Sequence, residues 1–125
     1  MYLQKYLFLI LLLPAFIYSS DKAFDGHKYI EHIQGDLPII ISAPHGGRIK
    51  DKAIPDRTKG VLRSDLNTDK LAMQVYEAFK KKGKTPHLVI CHLHRIKVDC
   101  NRSKEECSDG DPKAIAVWQA FQDSI

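Results

Sequence analysis

The stretch Pro38-Ile39-Ile40-Ile41-Ser42-Ala43-Pro44-His45-Gly46-Gly47 is a short apolar run that stops at a turn carrying one imidazole. Its β-branched residues suit a strand buried on both faces, and Pro44 with the two glycines ends it. Downstream, Leu71, Val75, Ala78 and Phe79 recur at i, i+4, i+7 and i+8, and Ala72 and Tyr76 widen the stripe. That spacing predicts an amphipathic helix over residues 68–82. Asn67 or Thr68 is placed to cap its start, Asp69 suits its first turn and Gly83 ends it. Pro86 then leads into a second apolar run, His87-Leu88-Val89-Ile90-Cys91-His92. Strand, helix and strand of this size form a βαβ unit, with parallel strands and a right-handed crossover. The expected fold class is therefore α/β, a mostly parallel sheet with flanking helices.

Outward from this unit the signals weaken. Residues 28–33 set Tyr29, Glu31 and Ile33 against Ile30 and His32, a half-exposed strand, and Gln34-Gly35-Asp36 supplies a turn. Together with residues 38–43 this reads as a hairpin that ends in the central strand. Residues 46–64 are polar and irregular, a length that in a compact domain usually wraps a site. Pro112 opens a last helix through Ala114, Val117, Trp118 and Phe121.

The chain has 125 residues, enough for one domain, and its 44% hydrophobic and 27% charged residues exclude a disordered polymer. A net charge of +4 is too small and too scattered for a nucleic-acid partner. The Lys80-Lys81-Lys82 run with Lys84 falls at a helix end, where it complements the dipole. Residues 1–20 read as a signal peptide: Lys5 precedes an apolar run of 13 residues, 6–18, followed by Ser19-Ser20. Such a run is too short to span a hydrocarbon core of about 30 Å. The protein is expected to be secreted, with residues 21–125 as one α/β domain and no membrane attachment after cleavage; an uncleaved anchor is the alternative. Of the three cysteines, Cys100 and Cys107 flank a polar loop and are placed to pair, while Cys91 sits in an apolar run as a core thiol.

In open parallel sheets ligands bind beyond the carboxyl ends of the strands. One such end here is the Pro44-His45-Gly46-Gly47 turn; the other runs through His92-Leu93-His94-Arg95 to Asp99-Cys100-Asn101-Arg102. His45 is a candidate metal ligand or general base, the plainer alternative being a turn histidine that caps a carbonyl. Asp65 is placed either to join a metal beside His45 or to stabilise the following helix N-terminus. His92 and His94 would share one strand face, which with His45 makes a second arrangement of metal donors; either is equally a core histidine. Arg95, Asn101 and Arg102 suit capture of a carboxylate, with Asp99 holding an arginine rigid, or else form a solvated salt-bridge loop.

Taken in order, three segments resemble the N-formylglutamate amidohydrolase family: residues 35–47, then Ile54-Pro55-Asp56-Arg57-Thr58, then Leu93-His94-Arg95-Ile96-Lys97-Val98-Asp99-Cys100-Asn101-Arg102. The resemblance extends from about Lys28 to Trp118. It implies a phosphorylase/hydrolase-like α/β fold and a site similar to those of zinc carboxypeptidases and aspartoacylases. On that resemblance His45 is a zinc ligand, Asp65 the second, with Asp69 as the alternative. Asn101 and Arg102 match the pair that holds a substrate carboxylate. Arg95 becomes the catalytic residue that binds substrate or polarises the scissile carbonyl. The implied cofactor is zinc, and the implied substrate an N-acyl, formyl-type amide of an acidic amino acid or a peptide end. The family's later half normally supplies a further histidine and a carboxylate base, so the resemblance implies an incomplete domain, a fragment or a degenerate copy. A secreted, non-catalytic carboxylate binder is the alternative function. The transcript is expected to continue past Ile125 and to encode a histidine after another apolar strand; sequencing it tests this, and a stop codon at that point would count against the hydrolase.

Overall fold

The structure is a computed structural model that describes residues 23–125; the leader and its cleavage site fall outside them. A 3-10 turn, Gly26–Tyr29, opens the chain, followed by β1 (Ile30–Ile33), β2 (Ile40–Ala43), α1 (Thr68–Lys80), β3 (His87–Cys91) and α2 (Pro112–Asp123). The sheet has three strands in the order β1-β3-β2. β2 runs parallel to β3, pairing Ile40 with His87 and Ala43 with Ile90, so the βαβ unit is present. β1 runs antiparallel to β3, pairing Ile30 with Cys91 and Ile33 with Leu88. The sheet is thus small and mixed, not mostly parallel.

The expected hairpin of the first two strands is absent, and the segment between them shows why. The backbone N–H groups of Asp36 and Leu37 donate to Thr85 O at 2.8 and 3.1 Å. In return, Thr85 donates its N–H and its hydroxyl to Asp36 Oδ1. This clamp ties the Gln34–Pro38 link to the chain just ahead of β3, and β1 and β2 then leave on opposite sides of that strand. The central strand is consequently β3. Leu88, Val89, Ile90 and Cys91 are all buried, whereas Ile39 and Ile40 at the start of β2 are exposed.

Alternation along β3 divides the interior in two. Leu88 and Ile90 pack with Ala43, Ala72 and Tyr76 on the α1 side. Val89 and Cys91 join Tyr29, Val98, Cys100, Cys107, Ala114, Val117 and Phe121 on the α2 side. α2 is started by Asp111, whose carboxylate accepts from Lys113 N and Ala114 N, with Pro112 in the first turn. α1 starts differently from expectation: Asn67 has a left-handed backbone (φ 67°) and makes no side-chain cap. Its carboxamide instead accepts from Arg48. Of the predicted stripe, the helix buries its widening residues and leaves Leu71 and Val75 exposed. Ala72 and Tyr76 face the sheet, and Leu71 is 59% exposed. The three cysteines are buried free thiols, so Cys100 and Cys107 do not pair. No helix among the described residues is long and apolar enough to cross a membrane.

Two substitutions separate the face that packs from the one the spacing predicts. Leu88→Ala is expected to cost about 2–5 kcal/mol, because it opens a cavity in the buried strand. Leu71→Ala should stay within about 0.5 kcal/mol. Urea denaturation of both variants reads the difference.

Candidate functional site

Beyond β2 the chain turns at His45, and two glycines allow the turn to press against its neighbours. A Cβ on Gly46 would lie 2.5 Å from Asp69 N, and one on Gly47 would lie 2.3 Å from Leu93 O, so neither position accepts a side chain without backbone movement. The long loop then leaves and returns. Ile49 bridges Leu93 in parallel, Arg57 N donates to Ile96 O, and Asp65 N donates to His45 O at 3.0 Å. Ser64 completes the return by donating its hydroxyl to Gly47 O and accepting from Arg95 N. Asp65, twenty residues after His45 in sequence, is thereby set beside it.

At the centre lies Asp99, whose side chain is fully buried. Its Oδ1 is 2.7 Å from His45 Nε2, and its Oδ2 accepts from Arg95 Nε at 2.9 Å. Oδ1 also accepts the Asn101 backbone N–H at 3.1 Å. Two further guanidiniums stand off at 3.9 Å, Arg57 through Nη1 and Arg102 through Nε. Burial pushes the Asp99 carboxyl up, but the hydrogen bonds from His45 and Arg95 outweigh it and hold the group well below the usual carboxylate range. On its other side, the His45 ring presents Nδ1 to Asp65 Oδ2 at 3.3 Å. Asp65 is half exposed and also faces Arg95 Nη1 at 3.7 Å.

This arrangement gathers most of the residues named from the sequence. His45, Asp65, Arg95 and Asp99 are one connected cluster, and Arg102 borders it. Arg102 and Asn101 have exposed side chains at its rim. Their loop is pinned from behind by α2, where Trp118 Nε1 donates to Arg102 O and Gln122 Nε2 to Cys100 O. Asp65 does not cap α1 with its carboxylate; only its backbone carbonyl meets Thr68. Asp69 makes no hydrogen bond to His45, and its buried Oδ1 has no partner among the described residues. The three-histidine arrangement is not formed. His92 Nε2 pairs with Glu31 at 2.9 Å, and His94 Nδ1 accepts from Ile96 N.

Two contributors carry no role in the sequence reading beyond a place in a motif or beside an arginine. Asp99 reads there as an arginine partner, yet its place between Val98 and Cys100 signals an acid carried into the core. Arg57 is also buried; it donates to Arg95 O, Val61 O and Lys59 O and so fastens the loop under the cluster.

The pair His45 and Asp65 fits a metal. With the Nε2 hydrogen donated to Asp99, Nδ1 and Asp65 Oδ2 are two donor atoms 3.3 Å apart. Donor atoms about 2.0–2.1 Å from a tetrahedral zinc are themselves roughly 3.3 Å apart, which matches this pair. A carboxylate behind the histidine, as Asp99 is here, is the usual support of such a ligand. Among the described residues, no group of three or more metal-binding side chains is found. A cavity of about 650 Å³ meets the cluster through Arg57 and Arg102 and is lined by neither His45 nor Asp65. Comparison of the chain with family models, curated proteins and solved structures finds no match.

Asp99 ties part of the fold's stability to pH. Its folded-state carboxyl is lowered, so its contribution is complete above about pH 4 and is lost as the pH falls through the folded value. Asp99→Asn is expected to cost about 3–5 kcal/mol at pH 7, since it strands buried cations. The difference from the parent should shrink toward pH 2 in denaturant titrations at several pH values.

Proposed function

We propose that this chain carries the His45 and Asp65 part of a zinc-dependent amide hydrolase of the N-formylglutamate amidohydrolase type, in an exported protein. The observation that carries the reading is the relay Asp99–His45–Asp65: a buried carboxylate 2.7 Å from Nε2, and a half-exposed one 3.3 Å from Nδ1. A turn histidine that merely capped a carbonyl would need neither. The family resemblance of the surrounding segments supports the same conclusion, as does the α/β setting at the ends of two parallel strands.

His45 Nδ1 and Asp65 would hold the zinc ion. When bound, zinc supplies a water whose pKa is lowered to about 7 and a Lewis acid for the amide oxygen. The chain's own residues do the remainder. Asp99 accepts the Nε2 hydrogen of His45, fixing the tautomer and the ring. Arg95 is locked by Asp99 through Nε, which leaves its Nη groups to donate to a substrate carbonyl oxygen as charge develops there. Asn101 and Arg102, at the exposed rim, hold the carboxylate of an acidic N-acyl amino acid or a peptide end, Arg102 by the two-pronged geometry of its guanidinium.

A second reading, a secreted carboxylate binder without turnover, is favoured by one specific observation. The guanidiniums of Arg95 and Arg102 are in place, while the described residues bring only two metal donors to the site.

Zinc titration of the full chain by competition with a chromophoric chelator tests the first reading, with hydrolysis of N-formyl-L-glutamate measured in parallel. Binding is expected to be lost in His45→Ala and in Asp65→Ala, and to weaken about 10–100-fold in Asp99→Asn. Zinc affinity unchanged by His45→Ala would refute the site. Calorimetric binding of N-formyl-L-glutamate in the presence of chelator, without turnover when zinc is added, would select the second reading.

A further inference from the structure

We propose that Asn67 is a positioning residue that, held by Arg48, fixes the spacing of His45 and Asp65 and so sets the metal affinity of that pair from outside it. The role given to the pair rests on the zinc reading, whereas the clamp itself belongs to the metal-free chain.

Asp65 is placed by its backbone. Its carboxylate is half exposed, and its two side-chain contacts are 3.3 Å to His45 Nδ1 and 3.7 Å to Arg95 Nη1, both beyond the usual hydrogen-bond distance. The segment that carries the residue therefore decides where its oxygens lie. That segment is a turn, residues 65–68, closed by Thr68, whose N–H and hydroxyl donate to Asp65 O at 3.4 and 3.0 Å. Third in the turn stands Asn67, with φ 67° and ψ 7°. Among the described residues it is the one non-glycine with a positive φ. A type II turn requires a left-handed third residue, and glycine adopts that conformation at less cost than asparagine. A carboxamide kept at such a position points to a use for the side chain.

That use is not helix capping. Asparagine just ahead of a helix commonly caps it, but Asn67 makes no side-chain hydrogen bond to α1. Its Oδ1 instead accepts from Arg48 Nη2 at 3.0 Å. Arg48 stands three residues after His45, on the same turn. The bond thus joins the two turns that carry the two donors. Two other hydrogen bonds join them as well: Asp65 N donates to His45 O at 3.0 Å, and Ser64 Oγ donates to Gly47 O at 3.0 Å. Those two hold the chain up to Asp65, and the Arg48 bond holds it beyond, so Asp65 is fixed from both sides. A donor pair suits zinc only near one separation, and slack in either turn lowers the affinity.

Hydrogen exchange on the metal-free full chain tests the clamp, and zinc competition against a chromophoric chelator tests its consequence. The variants are Asn67→Gly, which keeps the left-handed backbone and removes the carboxamide, Arg48→Gln, and the two together. Both positions are exposed, so the fold tolerates the changes. The Asp65 amide should exchange about threefold faster in each variant, the worth of one exposed charge-assisted contact. Zinc should bind about threefold more weakly, and the double variant should lose no more than either single one. The sign separates positioning from charge, because removal of a nearby cation would by charge alone tighten zinc binding. Exchange of the Asp65 amide at the parent rate in both single variants would overturn the clamp. Tighter zinc binding in Arg48→Gln, or parent affinity in Asn67→Gly, would overturn its role in the donor pair. A parent chain that takes up no zinc would overturn the zinc reading and that role together, and the exchange rates would still decide the clamp.

Discussion

A single buried carboxylate organises this protein's polar interior. Asp99 is reached from 54 positions away by His45, in the turn after β2, and from close by in sequence by Arg95 and by Asn101 N–H. A lone carboxylate taken fully out of water is strongly disfavoured, so it stays charged only because these donors surround it. The converse holds for its partners. Arg57 and Arg95 are buried, and among the described residues Asp99 is the one fully buried anion near them.

The same constraint explains why the site lies where it does. β3 delivers Leu88 and Ile90 to one side and Val89 and Cys91 to the other, and both layers depend on it. The chain leaving β3 passes Leu93, Arg95 and Val98 into the interior before reaching Asp99. Just beyond, α2 pins Cys100 and Arg102 by their carbonyls through Gln122 and Trp118. Rigid elements thus hold the loops from behind, and the polar groups face the open end. Three guanidiniums, those of Arg57, Arg95 and Arg102, stand within 4 Å of Asp99 there, and Asp65 faces Arg95 from the exposed side.

Legibility in the sequence followed the range of the interactions involved. The βαβ unit was readable because its signals are local: two apolar runs, a helical period between them, and Pro and Gly at the ends. Which strand is central was not, because residues 38–43 and 87–92 are both short apolar runs, and only the Asp36–Thr85 clamp sends β1 and β2 to opposite sides of β3. The helix was found, and Ala72 and Tyr76 of its predicted stripe are buried, but Leu71 and Val75 are not. Spacing marks Leu71 and Ala72 alike as apolar, and the choice between them depends on how α1 lies on the sheet. In the site, Arg95 with Asp99 was legible as a charge pair four residues apart. Asp99 with His45, and the burial of Arg57, join residues separated by 54 and 38 positions from their partners and leave no local trace.

By itself, then, the sequence determined the element types, the parallel βαβ core and the residues with the chemistry to bind metal and carboxylate, because each of these is written in side-chain pattern over a few turns or a single strand. Tertiary structure alone decided the mixed order of the sheet, the exposed face of α1, the separation of His92 and His94 from His45, and the relay from Asp99 through His45 to Asp65. Those depend on which distant backbone groups and charges must share one low-dielectric interior, and that is settled only when the loops close over it.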